Sequence, residues 1–307
     1  MFHLRGLIAA TFTAMHDDGS LDLDRVSPMV ERLLADGVAG LYVVGSTGEG
    51  PSLTSNERRD VAAAFVKAAA GRVPVIVQVG HNSLADAAEL AAHAAEIGAD
   101  AISATPPSYF RPESLDDLIG CIRRITEAAP RLPFYYYHIP MRTGVEVDLV
   151  EFLRRGHELP SLHGVKFTSP RVDQLQAAMR FAGERYDLLF GFDEMLLSAA
   201  AIGVKGAVGS TYNFAAPLYR RLLDAAGRGD LKTAARCQQR SVEMINVIVR
   251  QGGFAGQKAI MGLLGMPCGP PRLPLRSMPA SASDSLRDEL TEIGFFDWAR
   301  DFTELSS

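Results

Sequence analysis

The sequence predicts an α/β fold, a (β/α)₈ TIM barrel followed by a C-terminal helical extension. Short apolar runs alternate with longer Ala/Leu-rich amphipathic segments, the pattern of parallel strands joined by crossover helices. Eight such units fit within residues 1–226, and eight strands close this kind of barrel. The first strand is not followed by G-x-G-x-x-G, and chemically distinctive segments follow many different strands. An open doubly wound sheet is the alternative.

Each predicted strand is a short apolar or β-branched run bounded by glycine, proline or polar residues. The eight runs are 6–10, 40–44, 73–79, 101–104, 133–138, 164–167, 187–190 and 206–208. Segments with helical periodicity follow these strands in turn. They are 25–36, 56–70, 84–97, 114–128, 148–155, 171–182, 193–202 and 215–226.

Local signals indicate where several helices begin. Thr54 and Glu57 form a T-x-x-E capping box. Ser83 precedes the third helix as an N-cap. Ser169 followed by Pro170 predicts an N-cap with proline at the first helical position.

The chain is predicted to divide into a catalytic barrel, residues 1–226, and a helical extension packed on it, residues 227–307. Helical periodicity in the extension covers 230–250, 254–264 and 284–294. The intervening segment 265–274 is too rich in proline for a helix, and we expect an extended crossing loop there.

Composition limits the classes of function. The chain is 47% hydrophobic, has a formal net charge of −5 and contains no basic run, so nucleic acid is not an expected partner. The widely spaced Cys121, Cys237 and Cys268 predict free buried thiols in a reducing compartment. The N-terminus lacks a signal-peptide core, and no apolar stretch approaches the ~20 residues that span a bilayer. We therefore expect a soluble, cytoplasmic protein.

Two predicted strand ends carry glycine and hydroxyl residues. G-S-T-G-E, residues 45–49, follows the second strand, and its hydroxyls and backbone N–H groups suit a carboxylate or another small anion. A glycine-rich turn with hydroxyl caps is the alternative. G-S-T-Y-N, residues 209–213, follows the eighth strand, the usual anion corner of such barrels.

A lysine ends the sixth predicted strand, in G-V-K-F-T at residues 164–168. Burial lowers the pKa of a lysine and leaves the neutral amine that Schiff-base chemistry requires. A lysine that reaches the surface is an equal alternative. The fifth strand ends in Y-Y-Y-H-I-P, where alternation places Tyr135 and Tyr137 on one face and Tyr136 on the other. A phenol there is either a proton shuttle or a structural core residue.

The segment F-G-F-D-E, residues 190–194, follows the seventh strand, and its Asp193 is a candidate helix cap as well as a candidate ligand contact. The histidines show no metal-binding spacing such as H-E-x-x-H. The sequence contains neither a P-loop nor a G-x-S-x-G elbow.

The five segments occur in one order at strand ends, and residues 258–275 add K-A-I-M and G-P-P-R-L-P-L. Together they resemble the family of pyruvate-dependent class I aldolases that contains dihydrodipicolinate synthase and N-acetylneuraminate lyase, from Gly6 to about Leu275. The G-S-T-G-E, Y-Y-Y-H-I-P, G-F-D-E and G-S-T-Y-N forms look like the lyase branch. The resemblance implies a carbon–carbon lyase that needs no cofactor, acts on a small 2-oxo acid or sugar acid, and is a homo-oligomer, a tetramer in this family.

The resemblance also implies a role for individual residues. Lys166 would form the Schiff base and Tyr137 would be the acid/base. Ser46 and Thr47 would bind the pyruvyl carboxylate. The polyhydroxyl end of the substrate would contact polar groups that supply fixed hydrogen-bond partners, namely Thr168, Gly191, Asp193, Glu194 and Ser210. The implied reaction cleaves N-acetylneuraminate to N-acetylmannosamine and pyruvate.

Two residues depart from the lyase pattern. Arg142 matches the arginine with which the synthases of the family hold the carboxylate of aspartate semialdehyde, a task suited to a guanidinium. Tyr109 matches a tyrosine that synthases contribute across a subunit interface. A synthase, another 2-oxo acid aldolase or dehydratase, and a non-catalytic barrel that binds a 2-oxo acid therefore remain alternatives. A surface or interface ion pair is the alternative role for Arg142.

Overall fold

The computed structural model describes residues 3–299 and confirms the (β/α)₈ barrel. Eight parallel strands pair in chain order, and the first also pairs with the eighth, so the sheet is closed and the open alternative is wrong. The predicted strand positions are confirmed to within one or two residues at each end. The strands are β1 (Gly6–Ala10), β2 (Gly40–Val43), β3 (Val75–Gln78), β4 (Ala101–Ala104), β5 (Phe134–His138), β6 (Leu162–Phe167), β7 (Asp187–Phe190) and β8 (Gly206–Gly209).

Helices follow every strand and then continue beyond the barrel. The barrel helices are α1 (Val26–Ala35), α2 (Ser55–Ala69), α3 (Leu84–Glu96), α4 (Leu115–Thr126), α5 (Pro140–Thr143), α6 (Leu149–Arg154), α7 (Val172–Ala182), α8 (Leu196–Ala201) and α9 (Tyr212–Gly227). The extension contains α10 (Leu231–Arg250), α11 (Phe254–Leu263), α12 (Ala280–Glu292) and α13 (Phe295–Trp298). Residues 300–307 of the predicted extension lie outside the described residues, and the division at residue 226 stays a prediction.

The predicted helix starts are correct in two cases and wrong in one. Thr54 and Glu57 form the full capping box of α2. The Ser83 hydroxyl accepts from the Asp86 N–H at the start of α3. The Ser169-Pro170 prediction is wrong, because α7 begins at Val172 and has no side-chain cap. The Val172 N–H instead donates to the Pro170 carbonyl at 2.8 Å, which makes Pro170 part of the preceding turn.

Two local features were not predicted. The helix expected at 215–226 begins earlier, at Tyr212, and is interrupted at Ala215, where φ is −139° and ψ is 24°. The interruption places Pro217 in the first turn of the regular helix, where a missing N–H costs nothing. The four-residue α5 is too short to show periodicity in the sequence.

Inward-facing side chains fill the amino end of the barrel and leave space at the carboxyl end. Tyr135 and Tyr137 share the interior cluster, whereas Tyr136 packs outside it, as the alternation predicts. At the amino end the Asp187 carboxylate accepts from the Tyr135 hydroxyl at 2.8 Å and from the Leu4 N–H at 2.9 Å. These contacts occupy the amino end of the interior, whereas ligands of such barrels bind at the opposite mouth.

The remaining structural predictions concern thiols and membrane spans. All three cysteines are free, with Cys237 and Cys268 buried and Cys121 half-buried. Within residues 3–299, every helix is too short or too polar to span a bilayer.

Candidate active site

A cavity of about 280 Å³ opens at the carboxyl ends of the barrel strands. It collects predicted site residues from all five segments that the sequence singled out, although these are far apart along the chain. The members of the predicted set that line it are Thr47, Tyr137, Lys166, Gly191, Asp193, Glu194 and Ser210. Seven of the nine residues to which the resemblance assigned a role therefore share one cavity.

Lys166 is buried at the end of β6, with 4% of its surface exposed. Its Nζ lies 3.4 Å from the centroid of the Tyr137 ring and 5.1 Å from that of the Tyr42 ring. The same atom donates to the Thr168 hydroxyl at 3.4 Å. Burial lowers the pKa of Lys166, and the charges of Tyr137 and Asp193 oppose this only in part. The lysine therefore has more of its neutral, nucleophilic form than a surface lysine at the same pH.

Tyr137 stands beside Lys166 because β5 and β6 are in register at these two residues. Its hydroxyl interacts with Lys166, Ser46 and Thr168. Burial raises the pKa of Tyr137, but the Lys166 charge and these hydrogen bonds outweigh burial and lower it. A phenol that is more acidic than usual and adjoins the amine can move protons at that position.

Tyr42, on β2, is the second aromatic residue beside Lys166, and it was not identified from the sequence. Its ring meets the Tyr137 ring edge to face, with centroids 5.8 Å apart. Its hydroxyl donates to Ser103, whose hydroxyl donates to the Tyr135 carbonyl at 2.8 Å. The two phenol rings beside Lys166 thus pack against each other, and the hydrogen bonds through Ser103 also fix Tyr42. The Lys166 amine therefore lies between two aromatic rings of fixed position.

The loop after β2 presents Ser46 and Thr47 in a tight turn. The Glu49 N–H donates to the Ser46 carbonyl at 3.2 Å, and the Gly50 N–H donates to the Gly45 carbonyl at 3.0 Å. Gly50 is required here, because a Cβ atom would lie 2.1 Å from the Val44 carbonyl oxygen. Thr47 is half-buried and lines the cavity, whereas Ser46 is exposed, is not among the lining residues and interacts with the Tyr137 hydroxyl. The turn thus presents hydroxyl groups beside Tyr137, of a kind that suits a small anion.

Asp193 joins the β7 and β8 ends of the cavity. Its Oδ2 accepts from the Thr211 N–H at 3.0 Å and from the Thr211 hydroxyl at 2.6 Å. It does not cap a helix, so the capping alternative is wrong. Burial raises the pKa of Asp193, although the hydrogen bonds from Thr211 and Tyr212 counteract this. Gly209 leaves room for this carboxylate, since a Cβ there would lie 1.9 Å from Oδ1.

Glu194 and Gly191 complete the β7 side. Glu194 is half-buried, and burial, reinforced by the negative charge of Asp193, raises its pKa. A Cβ atom on Gly191 would lie 2.0 Å from the Thr168 Oγ1. Glycine at 191 therefore allows Thr168 to reach Lys166 and Tyr137. The arrangement combines a buried amine, a phenol, a turn that offers hydroxyl and backbone N–H groups, and carboxylates.

Arg142 and Tyr109 are not among the residues that line the cavity. Arg142 is exposed on α5, and its side chain forms no ion pair with any residue from 3 to 299. Tyr109 is 80% exposed and packs edge to face on Phe110. Their suggested roles in a second substrate or an interface stay predictions.

The extension contributes three cavity residues that the sequence did not reveal: Ile245 and Val249 from α10 and Gln257 from α11. Gln238 and Ser241, on the same face of α10, donate to the Asp193 carbonyl at 3.2 and 3.3 Å. Gln238, Ser241, Ile245 and Val249 are spaced three or four residues apart, so they share one face of α10. This periodicity predicts a common face but does not predict that the face packs against the barrel mouth. Among the described residues, no three His, Cys, Asp or Glu side chains converge as a metal site would require.

Comparison with known proteins gives a family and several relatives. The sequence model of the Dihydrodipicolinate synthetase family matches residues 3–293. The N-acetylneuraminate lyase of Rattus norvegicus is 40% identical over 298 residues, covering 95% of this chain and 93% of that protein. The N-acetylneuraminate lyase of Homo sapiens is 40% identical over 308 residues, covering 98% of this chain and 95% of that protein.

Solved structures give the same result. The Proteus mirabilis N-acetylneuraminate lyase superposes with a TM-score of 0.92 at 39% identity, covering 95% of this chain and 99% of the other. The N-acetylneuraminate lyase (sialic acid aldolase) of Aliivibrio salmonicida superposes with a TM-score of 0.93 at 36% identity, covering 96% of this chain and 98% of the other.

Proposed function

Because the chain belongs to the dihydrodipicolinate synthetase family, we propose that it is a class I aldolase that cleaves N-acetylneuraminate to N-acetylmannosamine and pyruvate. The observation that carries the proposal is Lys166, a buried lysine of lowered pKa in contact with a phenol at the mouth of the barrel. Relatives about 40% identical over nearly the whole chain are N-acetylneuraminate lyases, which favours this substrate over others of the family.

The first half of the proposed reaction forms the Schiff base. The neutral amine of Lys166 attacks the C2 ketone of the open-chain sugar acid, and water leaves to give an iminium. Ser46 and Thr47 hold the adjoining carboxylate with their hydroxyls and the N–H groups of the turn. This iminium is the electron sink of the reaction, so the proposed chemistry requires no cofactor.

The second half breaks the C3–C4 bond. Tyr137 takes the proton of the C4 hydroxyl while the bonding electrons move into the iminium, which leaves an enamine and releases the aldehyde N-acetylmannosamine. The enamine then gains a proton at C3, and water releases pyruvate and restores Lys166. Thr168, Gly191, Asp193, Glu194 and Ser210 would orient the hydroxyl-bearing tail.

The test is pyruvate release from N-acetylneuraminate, followed through NADH oxidation by lactate dehydrogenase, together with borohydride trapping of the pyruvate adduct. We expect steady pyruvate release and a covalent mass increase on Lys166. Trapping without cleavage would exclude this substrate and retain the aldolase class. An unmodified Lys166 would leave only a binding role for the barrel.

One observation favours a second candidate. The Arg142 guanidinium is exposed without an ion-pair partner in the described part of the chain, as a residue that receives a substrate carboxylate would be. Condensation of pyruvate with aspartate semialdehyde would support 4-hydroxy-tetrahydrodipicolinate synthase activity. Equal rates with aldehydes that lack a carboxylate would exclude it.

We also propose that the protein assembles as a homo-oligomer, a tetramer by family resemblance. Exposed apolar side chains support this, because Tyr109, Phe110 and Met141 are 80%, 85% and 71% exposed. Light scattering coupled to gel filtration measures the mass directly. A monomer would contradict the proposal without affecting the assignment of the chemistry.

A further inference from the structure

A second buried lysine, Lys258 of α11, lies under the Ser46-Thr47 turn. Its Nζ donates to the Glu49 carboxylate at 2.9 Å and to the carbonyls of Thr13 and Pro270 at 3.1 and 3.0 Å. The side chains of Lys258 and Glu49 are 1% and 0% exposed. The three hydrogens of the ammonium group are therefore used, which distinguishes this lysine from Lys166.

The other oxygen of the Glu49 carboxylate is held by the same C-terminal segment. The Arg272 N–H donates to it at 2.8 Å. The Arg272 side chain in turn pairs with both oxygens of Glu57 at the start of α2, at 2.8 and 2.5 Å, and donates to the Gly19 carbonyl. This ion pair with Arg272 lowers the pKa of Glu57 to about 2. Arg272 thus anchors the C-terminal segment both to Glu49, in the turn, and to Glu57, at the start of α2.

Glu49 is also the residue that closes the turn. Its own N–H donates to the Ser46 carbonyl, and its φ of +54° lies in the left-handed region that non-glycine residues rarely adopt. Such a conformation persists only where surrounding contacts impose it. The side chain that Lys258 and Arg272 hold therefore belongs to the residue that sets the position of Ser46 and Thr47.

We propose that Lys258 and Glu49 are positioning residues for the oxo-acid carboxylate, through which the C-terminal segment fixes the Ser46-Thr47 turn opposite Lys166. The proposal rests on the proposed function of that turn. Neither residue lines the cavity, so both act through the turn and not on the substrate. Loss of the pair should weaken binding of the 2-oxo acid more than it slows the bond cleavage that follows.

The experiment measures borohydride trapping on Lys166 as a function of pyruvate concentration, and the kcat and KM of N-acetylneuraminate cleavage. The variants are Lys258→Met, Lys258→Arg and the double change Glu49→Gln with Lys258→Met. Lys205→Met is the matched control, because Lys205 is exposed and directly precedes β8, at the amino end of the barrel and opposite the mouth that holds the turn. Circular dichroism melting shows that each variant is folded at the assay temperature.

We expect Lys258→Met to raise half-saturating pyruvate about 10-fold or more and to change kcat about 3-fold or less, the signature of lost binding that is common to ground and transition states. Lys258→Arg, which keeps the charge, should recover part of the affinity. If the single variant fails to fold, the double variant, which leaves no unpaired charge, gives the same measurement. A folded variant with half-saturating pyruvate within about 2-fold of the parent overturns the proposal. Failure of the parent protein itself to trap pyruvate would instead contradict the proposed function.

Discussion

Gly191→Ala places one methyl group where the structure has no room for it. The added Cβ would lie 2.0 Å from the Thr168 Oγ1, so Thr168 must move by about an ångström or more to restore ordinary contact. Thr168 cannot move without loosening its hydrogen bonds to the Lys166 amine and the Tyr137 hydroxyl. Even one added methyl group at position 191 is therefore expected to disturb Lys166 and Tyr137, the two residues proposed to react.

The expected magnitude follows from the hydrogen bonds that are lost. Each of these two hydrogen bonds contributes about 0.5–1.5 kcal/mol, so about 1–3 kcal/mol is at stake. If that amount is lost from the transition state, kcat/KM falls about 5- to 150-fold. Overpacking adds a loss of folding stability of about 1–3 kcal/mol.

The assay is coupled pyruvate release from N-acetylneuraminate, with thermal unfolding measured in parallel. Gly120→Ala is the matched control, because Gly120 lies exposed inside α4 and a Cβ there meets nothing within 4 Å. The control should keep full activity and gain about 0.8–1 kcal/mol, the difference in helix propensity. A Gly191→Ala protein with kcat/KM within about 3-fold of the parent would refute the steric reasoning.

Three further predictions concern the reacting groups and Arg142. Tyr137→Phe keeps the ring against Lys166 but removes the hydroxyl, so kcat for cleavage should fall about 10²- to 10⁴-fold while borohydride still traps pyruvate; unchanged kcat would remove Tyr137 from proton transfer. Burial lowers the pKa of Lys166, so the rate of borohydride trapping should rise with pH through that lowered pKa and reach its plateau below pH 10.5, the usual pKa of lysine. A pH profile of the trapping rate with its midpoint at or above 10.5 would contradict a neutral Lys166 amine. Arg142→Leu should leave cleavage of N-acetylneuraminate within about 3-fold and abolish any preference for carboxylate-bearing aldehydes; a large loss with the sugar acid would place Arg142 at the main substrate.

The sequence predicted the barrel well because its signals are local. Each strand is a short apolar run and each capping box lies within four residues, so neither depends on distant parts of the chain. Lys166 was a candidate because a charged residue follows an apolar run, but that position left burial and the surface as equal alternatives, and only the resemblance of the five segments to one family implied the Schiff base. The error at Pro170 has a local cause as well, since a proline after serine is compatible with a turn or a helix start, and here the turn forms.

Other parts of the site depend on contacts that no local pattern shows. In the sequence, Tyr42 is an ordinary residue of an apolar strand, and only the closed barrel places its ring near Lys166. The sequence pattern likewise predicts only amphipathic helices for the cavity residues of the extension, which are Ile245, Val249 and Gln257. The packing of α10 and α11 brings them to the cavity. The Glu49–Lys258 pair joins residues 209 positions apart, with no spacing that could reveal it.

The Glu49–Lys258 pair also bears on how this barrel can be recombined or redesigned. Loops at the mouth of a (β/α)₈ barrel are generally exchangeable units, and new specificities arise by replacing them one at a time. Here the loop after β2 and the segment from α11 to Arg272 depend on each other, because a replacement of either that lacked the matching charge would bury the remaining charge without its partner. A chimaera that exchanges both segments together should therefore be more stable than one that exchanges either alone.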